Sequence, residues 1–413
     1  MNAEDHAAQK ARLKRRFPTV DDLHRRSRWR IPRFAYDFLD GGAGDDSGIS
    51  RNRVAFDSIE VIPRYGVDVS KISTEVTIFG KKYASPLGIA PMGLPGLMWP
   101  GAEEYLAPAA QRAGIPYTLA TPGSASIERA AELAPDVFWF QMYPVPSEGN
   151  TIIFDLAKRA KDAGAHVLVM TLDIPTPPKR PRDIKNGFTM PFRMSARPAL
   201  QASLKPAWLM SLRKHGVPKR QVLAKYGLAD ARASDLPKGV VRSAFTWEVV
   251  AQMRDAWKGP LVVKGIMHPE DAAKAASLGV DGVQVSNHGG RQLDGAPASI
   301  DVLPAIVNEV GKNMTILLDS GIRSGLDVIR GLALGADACF TGRPFLFGLS
   351  ALGPIGAEHV CDLFAEELKI AMGQIGITSL AEAGSVTLRH DTAFEFPDPL
   401  ARTTASAIAK AAE

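Results

Sequence analysis

His288, Gly289, Gly290 and Arg291 follow closely on an apolar run, Gly282-Val283-Gln284-Val285, with only Ser286 and Asn287 between them. The run reads as a buried parallel strand, so the strand ends on an imidazole, two glycines and a guanidinium. An imidazole exchanges a proton near neutral pH, a guanidinium grips a carboxylate, and glycines let a ligand approach the backbone. That combination points to chemistry on a small acid.

Such a strand end needs a scaffold, and the chain supplies a regular one. Short apolar strands are predicted at 87–90, 117–120, 137–143, 166–173, 261–266, 282–287, 315–319 and 338–341. Helical patterns lie between them, at 103–113, 127–133, 152–163, 269–278 and 325–334 among others. Eight β/α units in order predict an α/β fold, a TIM (β/α)₈ barrel, ahead of a doubly wound sheet. Residues 1–84 read as a helical extension ending in a β-hairpin (60–63 with 76–79) that closes the barrel's bottom. Residues 85–380 read as the barrel, with a long proline-containing insertion at 175–245 after strand four and a tail at 381–413. An insertion of that length in a compact domain is functional or disordered.

In this type of barrel the active site forms at the C-terminal strand ends. Those ends carry Pro91-Met92-Gly93, Ala120, Gln141 with Tyr143, Thr171 with Asp173, Lys264, Ser286 with His288, Asp319-Ser320-Gly321, and Gly342-Arg343. Singly, each is explained as a strand cap or a solvated loop residue. Together they put ionisable groups on the one face where they converge. Asp319, Gly321 and Arg323, with Gly342 and Arg343 one strand later, read as a phosphate cradle, because the loops after strands seven and eight are the usual phosphate site. They imply a phosphorylated ligand such as flavin mononucleotide (FMN).

Composition narrows the class. The chain has 413 residues, ample apolar content at 46%, and two cysteines, Cys339 and Cys361, which suggest no disulfide framework. The N-terminus is polar and no apolar run is long enough to span a bilayer, so a cytoplasmic protein is expected. The net charge of +5 is uneven: residues 193–242 hold eleven Lys and Arg against Asp230 and Asp235, a balance of +9. Such a segment meets an anionic membrane surface or water, and without a nucleic-acid motif no nucleic-acid partner is expected.

From about residue 30 to 380 the sequence resembles the FMN-dependent 2-hydroxy-acid dehydrogenase and oxidase family, which includes glycolate oxidase, lactate oxidase and mandelate dehydrogenase. The resemblance is carried by Phe38-Leu39-Asp40-Gly41-Gly42-Ala43, Trp139-Phe140-Gln141-Met142-Tyr143, Thr171-Leu172-Asp173, Val263-Lys264-Gly265, the run from Ser286 to Asp294, and Asp319 to Arg323. Trp99-Pro100 and the stretch from Leu212 to Pro218 look most like the mandelate dehydrogenase branch. The resemblance implies FMN and no metal. It implies oxidation of an (S)-2-hydroxy acid with His288 as base and Asp173 stabilising the imidazolium. Arg291 and Arg180 would hold the carboxylate, with Lys179 and Arg182 as competitors for the second role. Tyr143 would hydrogen-bond the substrate oxygen, and Lys264 would sit by the flavin N1–O2 edge. Gln141, Thr171, Ser286 and the backbone of Pro91, Met92 and Gly93 would hold the flavin ring; Asp319, Gly321, Arg323, Gly342 and Arg343 would hold the ribityl phosphate. Hydride and carbanion routes both stay open, and a homotetramer is implied. The remaining histidines, among them His24, His166 and His390, read as surface or packing residues.

Three positions separate this chain from parts of that family. Phe38 stands where a substrate-binding tyrosine is usual, and Ala120 where many members have a flavin-contacting serine. Together they favour a bulky or less polar substrate over glycolate. Gly93, commonly alanine in the oxidases, favours electron transfer to a quinone over O2. With the basic, partly apolar stretch from Trp208 to Lys214, it suggests peripheral attachment to the inner face of a membrane through residues 193–242. Two other readings are kept: an FMN barrel of the isopentenyl diphosphate isomerase type, and a flavoprotein with altered or lost activity.

Overall fold

The computed structural model describes residues 3–145, 147–187, 195–230, 245–311 and 313–396. Eight parallel strands close a barrel in sequence order: β1 (Leu87–Ile89), β2 (Tyr117–Ala120), β3 (Phe138–Met142), β4 (Leu168–Thr171), β5 (Leu261–Ile266), β6 (Gly282–Val285), β7 (Thr315–Leu318) and β8 (Ala338–Thr341). Helices cover the outside, so both faces of the sheet are buried and the strands are continuous apolar runs. The seam between β8 and β1 pairs Phe340 with Gly88. A Cβ at Gly88 would collide with the Phe340 ring, so closure there requires glycine.

Several strands stop pairing one or two residues before the predicted ends. Asp173, Asn287 and Asp319 therefore stand beyond the ladder, at the rim where loops begin. One irregularity shapes the rim directly. The register between β5 and β6 shifts at Lys264/Ile266, and Gly265 between them has φ +97. A Cβ on Gly265 would lie 2.5 Å from that of Asp173. The bulge brings β5 against the β4 end and re-aims Lys264, a role that a side chain at 265 would obstruct.

The predicted hairpin is wrong in its pairing. Val76–Ile78 pairs with Lys81–Tyr83, whereas Glu60–Val61 pairs with Leu388–Arg389 near the other end of the chain. Phe79 and Gly80 both have positive φ, the geometry that a two-residue hairpin loop needs. The hairpin underlies the N-terminal strand ends: Phe79 abuts Gly282 at the start of β6, and Trp139 of β3 donates to the Tyr83 hydroxyl at 2.9 Å.

Before the barrel come α1 (Ala3–Arg16), α2 (Val20–Arg30), α3 (Arg33–Asp40) and α4 (Ser47–Asp57). A Thr19/Asp22 capping box starts α2, which lies along α5 (Arg343–Leu352); α6 (Gly356–Ile375) follows. The link from α3 to α4 is pressed onto the β6 loop. Ala43 N–H donates to Gly290 O at 3.0 Å, and Asn52 and Asn287 exchange amide hydrogen bonds of 2.9 and 2.7 Å.

The segment after β4, read from sequence as lacking periodicity, contains helices at Pro181–Lys185, Ala196–Ser203 and Pro206–His215. Two of them begin on proline, whose fixed φ suits the first helical position; they are too short to show amphipathic repeats. Residues 188–194 and 231–244 of that segment, and 397–413 of the predicted tail, lie outside the described residues. Cys339 and Cys361 are buried and free. No described helix is long and apolar enough to cross a membrane.

Candidate active site

The β6 strand end delivers His288 in a left-handed backbone conformation, φ +57. Its N–H donates to the Ser286 hydroxyl at 3.1 Å, which holds the strained turn in place. The ring's Nδ1 lies 2.9 Å from Asp173 Oδ1, and Nε2 lies 3.1 Å from the Tyr143 hydroxyl. An ionised carboxylate only accepts, so Nδ1 carries the proton and Nε2 presents its lone pair toward Tyr143. Burial pushes Asp173 upward, but the charges of His288 and Lys264 and the hydrogen bond to the ring outweigh it, holding the carboxyl below the usual range. Burial, then the Asp173 charge, raises the Tyr143 phenol well above its ordinary value, so it is a proton donor at any physiological pH.

Three arginines meet beside this group. Arg291 donates through Nη1 to the carbonyls of Phe38 and Gly41 at 2.8 and 2.6 Å, and its guanidinium lies 4.9 Å from the Phe38 ring centre. Arg180 donates to Arg291 O through Nε and Nη2, both at 3.2 Å. Arg343 donates to Gly289 O at 2.8 Å and Leu39 O at 3.1 Å. Burial lowers Arg291, and the charges of Arg180 and Arg343 add to it. Among the described residues no carboxylate forms an ion pair with Arg291, Arg323 or Arg343; Asp183 stands 4.0 Å from Arg180. Of the competitors, Arg182 turns away to Asp40 and Asp46 at 2.8 and 2.6 Å, and Lys179 is exposed. A cluster of half-buried cations with only the Asp183 carboxylate at its edge is what an anionic ligand would neutralise.

Lys264 lies on the floor, its Nζ 2.5 Å from Ser286 Oγ and 3.0 Å from Asp319 Oδ2. Gln284 donates to the same Asp319 oxygen at 2.8 Å. Gln141 donates to Thr171 Oγ1 at 2.7 Å, while its own Oε1 is buried without a partner. Burial, followed by Arg343 and Arg53, pushes Arg323 down to about 9. Gly321 sits at φ +94, and a Cβ there would press on Asn52 O at 2.9 Å and the Phe56 ring at 3.0 Å, so the β7 loop needs glycine at this position. Arg323 and Arg343, without a carboxylate partner, fit a phosphate at one end of a space behind whose wall the orphaned Gln141 oxygen lies.

That space is a cavity of about 570 Å³. Phe38, Pro91, Met92, Gly93, Tyr143, Arg180, Lys264, His288, Arg291, Asp319, Gly321, Arg323, Gly342 and Arg343, all singled out from sequence, are in its wall. Asp173, Ala120, Gln141, Thr171 and Ser286 are not wall residues; they stand behind or beneath it. Sequence reading missed an apolar side of the wall, formed by Leu94, Met98, Pro122 and Ile174, together with Gln292, whose Nε2 holds Asp173 O at 2.9 Å. Adjacency to Arg291 was the available signal for Gln292. Tyr36 is no substitute for a hydroxyl at 38: its OH bonds His24 at 3.0 Å, outside the cavity.

Comparison with known proteins agrees over nearly the whole chain. A family model described as FMN-dependent dehydrogenase matches residues 27–390. The chain is 40% identical over 376 residues to an L-lactate dehydrogenase of Caulobacter vibrioides, covering 90% of this chain and 97% of that one. It is 37% identical over 369 residues to an (S)-mandelate dehydrogenase of Pseudomonas putida, covering 88% and 92%. The solved structure of the monotopic membrane protein (S)-mandelate dehydrogenase matches with a TM-score of 0.81 at 34% identity, over 90% of this chain and 99% of that one. A mandelate oxidase structure matches at 0.76 and 36% identity, over 91% and 99%.

Proposed function

The chain belongs to the FMN-dependent dehydrogenase family, FMN-using oxidoreductases that act on 2-hydroxy acids, and from that premise we propose that it oxidises an (S)-2-hydroxy acid with a bulky apolar side chain to the 2-oxo acid. Arg180 and Arg291 grip the carboxylate, and their planar guanidinium groups fix its orientation. The α-hydroxyl then faces His288 Nε2 and the Tyr143 O–H. His288 accepts one proton, the hydroxyl proton in a hydride route or the α-proton in a carbanion route. Asp173 balances the imidazolium charge through Nδ1. When bound, FMN supplies the two-electron acceptor. Lys264 would stand at its N1–O2 edge, Gln141, Thr171 and Ser286 around the ring, and Arg323, Arg343 and the Gly321 and Gly342 backbones at the phosphate.

One observation carries the reading: Asp173–His288–Tyr143 form a hydrogen-bonded line opening into a cavity whose wall holds Arg180 and Arg291. Phe38 and the Leu94, Met98 and Ile174 side of the wall support an apolar substituent, as in mandelate, over lactate or glycolate. The test is anaerobic flavin reduction with lactate, mandelate, phenyllactate and longer hydroxy acids. His288→Ala should keep its flavin and reduce it at least ~10²-fold more slowly. Undiminished reduction removes the base assignment. No bleaching by any hydroxy acid favours instead altered activity, or the isopentenyl diphosphate isomerase type of flavin chemistry.

The electron acceptor in this reading is a quinone at a membrane surface, and a specific surface supports it. Leu200, Leu204 and Met210 are 66, 70 and 67% exposed on the paired helices after β4, beside exposed Arg197, Arg213 and Lys214. Trp208, the aromatic expected at such a surface, is instead buried and donates to Leu97 O at 3.2 Å. Trp29, 73% exposed, takes that place, tied in by Lys205 donating to its carbonyl at 2.6 Å. Basic residues around exposed Leu and Trp suit an interfacial anchor. Leu204→Asp with Met210→Asp should abolish co-flotation with anionic vesicles, and reoxidation by a quinone analogue should outpace that by O2.

A further inference from the structure

Away from the active site, α1 and α2 bring four arginines to one cavity. Arg12 and Arg16 lie one turn apart on α1, Arg26 and Arg30 one turn apart on α2, so each pair shares a helix face. The two faces converge on a space of about 240 Å³, closed by Gln9, Phe17, Leu352 and Ile355. It lies at the C-terminal end of α5, whose N-terminal end is Arg343 of the flavin-phosphate cradle. A ten-residue helix separates the two sites by about 15 Å.

No acidic side chain among the described residues pairs with any of the four. Acidic groups are near, but they are taken by the adjacent face of α1: Lys10 and Lys14 pair with Asp362 and Glu366 of α6 at 3.0 and 2.7 Å. Structural duties explain part of the cluster. Arg26 Nε donates to Ala351 O at 2.9 Å in the last turn of α5, a favourable place for a cation. Arg16 and Arg26 flank the Phe17 ring at 5.4 and 5.1 Å, and Arg30 lies 5.7 Å from Trp99. These contacts leave Arg30 Nε buried with no hydrogen-bond partner. Burial first, and then a neighbouring guanidinium, pushes both Arg26 and Arg30 below the usual range. Arg12 and Arg16 are exposed and Arg26 and Arg30 half-buried, so the like charges repel across the mouth of the cavity, and an anion between them would remove that repulsion.

We propose that this cavity binds a phosphate or diphosphate group, free in solution or on a lipid headgroup. Guanidinium forks match phosphate oxygens two at a time, and two i,i+4 pairs offer donors from opposite sides. Arg12, Arg16 and Arg26 precede residue 27, where the match to the family model begins. Arg30 and the α5 end, which complete the cavity, lie within the matched region.

The test uses the FMN-loaded enzyme, titrated by calorimetry with inorganic diphosphate, and floated with vesicles of phosphatidylglycerol or of phosphatidylcholine. Arg12→Ala/Arg16→Ala leaves α1 anchored through Lys10 and Lys14. It should weaken diphosphate binding at least ~10-fold, the loss of roughly one charged hydrogen bond, with turnover of the hydroxy acid unchanged. If the wild type ignores free diphosphate but needs Arg12 and Arg16 for phosphatidylglycerol alone, the phosphate comes from lipid and the site stands. Equal binding by wild type and variant, or none by the wild type to either probe, overturns it. So does a double variant that changes subunit number in sedimentation while anion affinity is intact, since the cluster would then be a subunit contact.

Discussion

His288 Nδ1 lies 2.9 Å from Asp173 Oδ1, joining strand ends on either side of β5 that are 115 positions apart in sequence. The bond fixes the tautomer, and in the proposed reaction the carboxylate would supply the counter-charge when Nε2 takes a proton. Asp173→Asn keeps the shape and removes the charge. Flavin reduction should fall ~10²-fold or more. Because His288 and Lys264 outweigh burial and hold Asp173 below its usual range, the carboxylate stays ionised from weakly acidic pH upward. Loss of rate at weakly acidic pH therefore does not come from protonation of Asp173. A full rate in Asp173→Asn would show that the pair is only structural.

Arg180 and Arg291 offer forks where lysine offers a point charge. Arg291→Lys also loses donors to the Phe38 and Gly41 carbonyls. Each replacement should lower kcat/KM for the hydroxy acid ~10- to 100-fold, the worth of a charged hydrogen bond. Steady-state kinetics with a saturable acceptor measures this. Arg182→Lys, whose partners are Asp40 and Asp46, should leave substrate affinity within about twofold, as expected for a site with no substrate contact.

Phe38 lies in the cavity wall against Arg291. Phe38→Tyr adds a hydroxyl at the carboxylate end of the cavity. It should raise kcat/KM for lactate ~2- to 10-fold, the range of a neutral hydrogen bond, with a smaller change for mandelate. If both substrates respond alike, residue 38 does not set substrate choice.

Asp40 joins the extension to the loop that carries Arg180, accepting from Arg182 at 2.8 Å and lying 2.7 Å from His24 Nε2. Burial pushes this carboxyl upward, yet the hydrogen bonds from His24 and Arg182 and their charges bring it down to about 2. A folded-state value below the unfolded one stabilises at pH above the unfolded value and is lost as pH falls through the folded one. Asp40→Asn should therefore cost about 2 kcal/mol at pH 7, a penalty that shrinks between about pH 4 and pH 2. Urea midpoints at pH 7 and pH 3 check the direction.

The gathering of the candidate site was legible because barrel geometry ties sequence to place. Each C-terminal strand end opens on one rim, so His288, Tyr143 and Lys264 could be set together from their positions after apolar runs. Residues in irregular backbone could not. Arg180 stands just before the Pro181–Lys185 helix and Arg182 within it, a segment too short to show a period, and only the fold turns one to the cavity and the other to Asp40. The hairpin was mispaired because 60–61 finds its partner at 388–389, across more than three hundred residues.

The sequence by itself determined the fold class and the reaction family, since these rest on local strand patterns and on a run of specific side chains. Tertiary structure alone decided which guanidinium groups remain without counter-charge. That depends on where each long side chain finds an acceptor: Arg182, Lys10 and Lys14 reach carboxylates, whereas Arg291 in the cavity wall and Arg30 at the end of α2 pair with none among the described residues. Charge neutralisation is a property of three-dimensional neighbours, and no spacing in the chain records it.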